Sequence, residues 1–283
     1  MSLQVTGLVK HFGAVRAVRG VTFAVQPGEC VALIGPNGAG KSTTFACIAG
    51  QHAPSAGEVL WRGERMEGLH PRQRLQHGIA RTFQVAQTFD ALTVLQNVQL
   101  LTQDSRGLRA FDVLDAVNPA LAQALLARVG LDGLGARYAQ DLPYGARKRL
   151  ELAMALAGLT AVAQDPAGAA LAGTPPAGAL LLLDEPAAGL APAERASLMQ
   201  LVQSLARTGS ATGLGGAADA VGFAVLYTEH NMDAVFGVAD RVLVLIDGEI
   251  AAQGSAEAVA QDPTVQARYL GSAWQSRVGV PHA

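Results

Sequence analysis

Gly35-Pro36-Asn37-Gly38-Ala39-Gly40-Lys41-Ser42-Thr43 is the stretch on which the reading of this chain turns. It follows a short apolar run, Cys30-Val31-Ala32-Leu33-Ile34, and precedes a helix-compatible one, Thr44-Phe45-Ala46-Cys47-Ile48-Ala49. Gly-x-x-x-x-Gly-Lys-Ser between a strand and a helix is the spacing of a phosphate-binding loop. Glycines let the backbone come close to a ligand. Successive N–H groups then converge on phosphate oxygens, and the positive end of the helix dipole adds to them. Lys41 is expected to reach the β- and γ-phosphates, and Ser42 to offer its hydroxyl to Mg²⁺. Gly35, Pro36, Asn37, Gly38, Ala39, Gly40 and Thr43 complete the expected nucleotide cradle.

Outward from the loop, composition limits the classes to consider. The chain has 283 residues, half of them hydrophobic and 16% charged, so a sizeable core is expected. A net charge of −2 gives no reason to expect nucleic acid as a partner. No apolar run approaches the roughly 20 residues of a membrane-spanning helix, and Met1-Ser2-Leu3-Gln4 carries no basic leader. Cys30 and Cys47 stand alone, with no Cys-x-x-Cys spacing, and read as small core residues in a reducing compartment. A cytoplasmic chain is expected.

A second site element lies far downstream. Leu180-Leu181-Leu182-Leu183-Asp184-Glu185 is a wholly apolar strand ending in two carboxylates. Such a strand is buried on both faces, and ligands of open α/β sheets sit at strand ends. Asp184 suits a metal role and Glu185 can polarise an attacking water. Gly78 to Gln84 reads as a strand whose last residue, Gln84, offers an amide to a metal or a water. Phe223 to Tyr227 is another strand, and His230 follows it within reach of a γ-phosphate. Phe12 is either a half-buried strand-end residue or a platform for a nucleotide base.

Residues 3–26 alternate as strands interrupted at Gly13 and Gly20. Gly57–Trp61 is a strand, and Pro71 opens a short helix through His77. Residues 93–158 change to helical spacing, with Val94, Leu95, Val98 and Leu101, then Leu121, Leu125, Leu126 and Val129. A further helix, Gly145 to Gly158, closes that insert. Arg147, Lys148 and Arg149 in its first turn oppose the helix dipole. They are either an ordinary solvated turn or a set waiting for a phosphate. Residues 160–178 and 208–222 read as extended Ala/Gly/Pro-rich loops. Val242 to Ala252 reads as a hairpin around Asp247-Gly248, followed by short helices near 255–261 and 264–270.

Five motifs in this order resemble the ATP-binding-cassette ATPases. They are the Walker A loop Gly35–Thr43, the Q-loop Gln84, the signature Leu142-Pro143-Tyr144-Gly145-Ala146, the Walker B strand with Glu185, and the switch His230. The resemblance implies an α/β fold: a P-loop NTPase (RecA-like) core with an antiparallel β subdomain and a helical subdomain insert. It implies one domain over 1–271, with the helical part about 85–158, the core 27–84 and 159–253, C-terminal helices 254–271 and a tail 272–283. It implies ATP and Mg²⁺ as cofactors, with Ser42, Gln84 and Asp184 at the metal. Lys41, Glu185 and His230 would be catalytic, and Phe12 and Gly145 would touch nucleotide.

Gly78–Gln84, Asp184–Leu190, Glu229-His230-Asn231-Met232 and Ala267–Gly271 are similar to the branched-chain amino acid importers in particular. Similar cassettes serve urea or amide import and lipopolysaccharide export. The implied partners are a second ATP-binding subunit, two membrane permease subunits and, indirectly, an extracytoplasmic binding protein. The implied location is the inner face of the cell membrane, with a permease groove near Phe89 to Thr93. Cassettes of DNA repair or translation usually carry two cassettes or a long coiled coil; this chain has one Walker A loop and no basic stripe. A non-hydrolysing switch fits poorly with Glu185 and His230 in place. Pro143, Ala146 and Ala191 depart from the family pattern, all on the face that would complete a partner's site. They point to a heterodimer in which Arg147 and Lys148 supply compensating charge, or they are a tolerated variant whose backbone N–H groups suffice.

Overall fold

In a computed structural model the described residues are 2–102, 117–163, 178–208 and 222–270. The two Ala/Gly/Pro-rich loops and the C-terminal tail expected from sequence fall largely outside them. The described chain forms two sheets and a helical cluster. A four-stranded antiparallel sheet is built from β1 (Leu3–Phe12), β2 (Val15–Val25), β4 (Ala56–Trp61) and β5 (Glu64–Arg65) in the order β2-β1-β4-β5. Gly20 does not end a strand as expected. Leu8 pairs with Val21 and Val9 with Arg19, so Gly20 is the extra residue of a bulge and β2 continues through it.

The second sheet has six strands: β3 (Cys30–Ile34), β6 (Ile79–Arg81), β7 (Leu180–Asp184), β8 (Ala224–Thr228), β9 (Arg241–Ile246) and β10 (Glu249–Gly254). Their order is β10-β9-β3-β8-β7-β6, parallel apart from the edge strand β10. The all-apolar strands have the expected cause. Leu181 and Leu183 of β7 enter one core cluster while Leu180 and Leu182 enter the other, and β3, β8 and β9 alternate in the same way. A strand covered on both faces is apolar along its length, and the polar residues Asp184 and Thr228 come only at the last positions of β7 and β8.

The sheet register aligns the C-terminal ends of β3, β7 and β8, which is where the polar motifs lie. Behind the Walker A loop, α1 (Lys41–Ile48) is anchored at its far end by Arg74 of α2 (Pro71–Gln76). The buried Arg74 guanidinium donates to the carbonyls of Cys47, Ile48, Met66 and Leu69, so it satisfies acceptors that a helix end leaves open. The helical cluster comprises α3 (Val94–Leu101), α4 (Pro119–Arg128) and α5 (Tyr144–Ala163). Thr93 caps α3 and Gln96 closes the capping box. α5 runs to Ala163 rather than closing at Gly158, so the expected seam between 158 and 159 lies inside a helix. Gly158 is tolerated there because Leu75 packs directly against it. The chain returns to the core with α6 (Pro192–Thr208) and α7 (Met232–Phe236), and ends in α8 (Ala256–Gln261), α9 (Pro263–Val265) and a short π-type turn at Gln266–Leu270.

Candidate nucleotide site

The Walker A loop leaves β3 and winds back to start α1. Gly40 has φ +100° and its absent Cβ would lie 2.3 Å from the Ala17 carbonyl oxygen; at Gly35 a Cβ would lie 2.0 Å from the Leu245 carbonyl oxygen. Both glycines are therefore required by close backbone approach, one from β2 and one from β9. Among the described residues no acceptor takes the N–H groups of Lys41, Ser42 or Thr43. These unpaired donors at a helix start suit an anion. Asn37, Gly38 and Ser42 are exposed, whereas Pro36, Gly40 and Thr43 are half-buried and Ala39 is buried.

Lys41 folds back on the loop, its Nζ donating to the carbonyls of Gly35 (2.7 Å) and Pro36 (3.0 Å). Burial lowers its pKa, while Glu185 and Asp184 act in the opposite direction. The loop lysine thus feels the charge of the two carboxylates at the end of β7.

Asp184 is held on both oxygens. Arg81 at the end of β6 donates to Oδ2 at 2.9 Å, and the Thr228 hydroxyl donates to Oδ1 at 2.8 Å. Thr228 also accepts the Glu185 N–H at 3.0 Å. Glu185 has φ +47°, a left-handed conformation rare for a non-glycine residue. This turn swings its carboxylate back over the strand end. There Oε1 lies 2.8 Å from His230 Nε2, and Oε2 accepts from Gln84 Nε2 at 2.9 Å. Gln84, Glu185 and His230 thus converge. The Gln84 amide oxygen has no partner among the described residues, which leaves it open to a cation.

Two expectations are corrected here. The strand before Gln84 stops at Arg81: the Thr82 N–H still reaches the Leu182 carbonyl of β7 (2.9 Å), and the Phe83 N–H, on the outer edge of the sheet, is taken by the Glu151 carboxylate of α5 (2.7 Å). Lys148 is not a charge offered to a partner. It is buried, its Nζ donating to the carbonyls of Phe83 (2.9 Å) and Gln84 (2.6 Å). Arg147 reaches Gln140 and Asp90, and Arg149 reaches Val129 and Ser197. Gly145, in the first turn of α5, faces the Glu194 carboxylate, which a Cβ there would meet at 3.0 Å. Phe12 is 46% exposed at the β1–β2 turn, edge-on to His52 and under the Lys10 ammonium.

Two further residues shape the site. Thr228 joins Asp184 to Glu185. Glu229, buried at the end of β8, accepts the N–H groups of Ala187 and His230 and so ties the two strand ends together. Thr228 carries a sequence signal, a hydroxyl at the end of a strand, and Glu229 lies in the quoted stretch Glu229-His230-Asn231-Met232, which does not by itself show its role.

Loop, strand-end carboxylates and helical insert together define an ATP-binding cassette, and the chain belongs to the ABC transporter family. The model of that family matches residues 18–163, and the chain is an ATPase cassette that hydrolyses ATP. It is similar to the high-affinity branched-chain amino acid transport ATP-binding protein LivG of Escherichia coli strain K12, 36% identical over 280 residues that cover 96% of this chain and 98% of that protein. BraF of Pseudomonas aeruginosa, with the same description, is 33% identical over 282 residues, 96% of this chain and 98% of that one. A crystal structure of a nucleotide-free ATP-binding cassette from an ABC transporter superposes with a TM-score of 0.74 at 26% identity, covering 96% of this chain and 100% of that chain.

Proposed function

We propose that this chain is the ATP-hydrolysing subunit of an importer for branched-chain or similar amino acids, working on the inner face of the cell membrane with two permease subunits and a second cassette. The convergence of Gln84 and His230 on Glu185, beside Lys41 and Asp184, carries the hydrolytic reading. The similarity to LivG and BraF supports the substrate class.

The Walker A loop is the seat of the phosphates. Its unpaired N–H groups and Lys41 supply the positive field, and Phe12 offers a face to the base. Ser42, Asp184 and the Gln84 amide oxygen form an all-oxygen donor set, which suits Mg²⁺. Held there by Ser42, Asp184 and Gln84, such an ion would supply neutralising positive charge to the bound phosphates. Glu185 accepts a hydrogen bond from the attacking water and orients it. His230, 2.8 Å from Glu185, holds the carboxylate in place and faces the γ-phosphate side. Lys41 leaves the Gly35 and Pro36 carbonyls when it turns to phosphate.

The signature face, with Gly145, closes over the ATP of a partner cassette. Pro143, Ala146 and Ala191 lie on this face, and this chain's own Walker residues keep their pattern, which favours a non-identical partner. A cleft of about 710 Å³ lined by Thr93, Leu95, Gln96, Leu126 and Leu131 opens beside the Phe89–Thr93 segment. It is the surface we assign to a permease helix. Buried Asn97 shapes it by bonding the N–H and C=O of Phe89 and the C=O of Thr93.

Glu185→Gln tests the hydrolytic assignment. ATP binding should persist while turnover falls by about 10²–10⁴-fold. Undiminished turnover would remove Glu185 from its role. Transport assays with leucine, isoleucine and valine in the assembled complex test the substrate class, and uptake of none of the three would refute it.

A further inference from the structure

The first two turns of α5 do something to the Q-loop that the motifs do not announce. Lys148 and Glu151 lie one turn apart on the inner face of that helix, both buried and 3.8 Å apart. Between them they hold the polar backbone of two successive residues. Glu151 Oε1 accepts the Phe83 N–H at 2.7 Å. Lys148 Nζ donates to the Phe83 carbonyl at 2.9 Å and the Gln84 carbonyl at 2.6 Å. The Tyr144 hydroxyl, from the same helix, adds a longer bond of 3.4 Å to the Gln84 carbonyl. Leu152, Leu183, Pro186 and Leu198 wall the small space beside the pair, which measures about 10 Å³. That is room for one water at most, so the ammonium depends on the loop carbonyls for its hydrogen bonds.

Two charges are costly to bury unless each is paired and hydrogen-bonded. Leucine or methionine would fill the same positions on α5 without that cost. What the pair supplies that an apolar filling cannot is a directional hold on backbone N–H and C=O groups. Gln84 is next in line: its side chain donates to Glu185 at 2.9 Å while its backbone carbonyl is fixed by Lys148.

We propose that Lys148 and Glu151 are positioning residues that clasp Phe83 and Gln84, and so set the place of the Gln84 amide against Glu185 and the metal. This rests on the reading of Gln84 as a metal ligand. It also has a consequence for the assembly. α5 begins at the signature, so the face this chain presents to a partner's ATP and the Gln84 of its own site are joined through one helix. A shift of α5 on docking of the partner is transmitted to Gln84 through three short hydrogen bonds.

The test uses the full chain with Mn²⁺ in place of Mg²⁺ and a non-hydrolysable ATP analogue, with bound metal read by electron paramagnetic resonance. Lys148→Met should weaken Mn²⁺ binding about three- to tenfold and leave analogue affinity in EDTA unchanged. Lys148→Arg should restore most of the loss. On a Gln84→Ala background Lys148→Met should add nothing, because both act through one amide. Hydrogen exchange over residues 82–88 should quicken in Lys148→Met while the β7 and β8 peptides stay as in wild type. If Lys148→Met does not fold, Lys148→Met/Glu151→Leu, which removes both charges together, takes its place. Unchanged exchange over 82–88, or metal losses that add to those of Gln84→Ala, would overturn the clasp. Normal Mn²⁺ binding in Gln84→Ala with quickened exchange in Lys148→Met would leave the clasp standing as a hold on the loop, and would overturn both the metal reading of Gln84 and the assignment of the clasp to the metal.

Discussion

Thr228 holds together two residues whose chemistry differs. Its hydroxyl donates to Asp184 and accepts from the Glu185 backbone, so one oxygen orients a carboxylate and supports a left-handed turn. Thr228→Val keeps the shape and removes both bonds. It should cost about 1–3 kcal/mol of stability, because a buried acceptor and a buried donor lose their partners. Turnover should fall more than ATP affinity; chemical denaturation and steady-state kinetics together check this. Glu229 is the other residue between strand ends. Burial raises its carboxyl pKa above the ordinary value, against the lowering effect of the N–H groups it accepts. A raised folded pKa means the folded state holds the proton more firmly than the unfolded one. The stabilisation from that proton is full below the unfolded pKa and is lost as pH rises through the folded pKa. Glu229→Gln keeps an oxygen for the Ala187 N–H and removes the titration. The variant should therefore gain on wild type as pH rises from 4 to 8, measured as the difference in urea midpoints.

At the scale of the element, α6 starts without a capping side chain. Ala191 occupies the N-cap position, its carbonyl accepting the Arg195 N–H, and Glu194 supplies half of a capping box by accepting the Ala191 N–H at 3.2 Å. Ala191→Asn should stabilise the chain by about 1 kcal/mol through the missing cap, seen as a raised melting temperature. The contrast with α3 is instructive, since Thr93 and Gln96 close both halves of its box. Helices and strands with strong period were readable from sequence for local reasons. β7 is apolar from Leu180 to Leu183 because both its faces are covered, and α3 carries its apolar residues on one stripe. Element ends were less legible. α5 outran Gly158 because Leu75, distant in sequence, covers that glycine. β6 stopped short of Gln84, where two residues of α5 distant in sequence, Glu151 and Lys148, hold the backbone of Phe83 and Gln84.

At the scale of the whole molecule, the proposed function makes the site one half of a larger one. Glu185→Gln with ATP should trap a closed dimer, and size-exclusion chromatography with light scattering distinguishes its composition. A dimer only with the second cassette of the transporter supports the non-identical partner, whereas a homodimer of this chain alone refutes it. Pro143→Ser in the assembled transporter should raise the ATPase rate, since it restores a hydroxyl and an N–H to the face that meets the partner's ATP. An unchanged rate would show that Gly145 and the helix start suffice. Among the described residues no helix is long and apolar enough to cross a membrane.

By itself the sequence determined what backbone geometry and residue chemistry specify locally. The Walker A loop follows from glycine spacing, the buried strands from unbroken apolar runs, and the identity of Gln84, Asp184, Glu185 and His230 from their places after strands. Only the tertiary structure decided how these meet. Parallel register puts the ends of β3, β7 and β8 side by side, so residues more than a hundred positions apart, such as Gln84 and Glu185, come within 2.9 Å. It also decided which way ambiguous charges turn. Arg147, Lys148 and Arg149 read alike in sequence, yet of the three only Lys148 is buried, and on its side of α5 lie the carbonyls of Phe83 and Gln84 to which its ammonium donates.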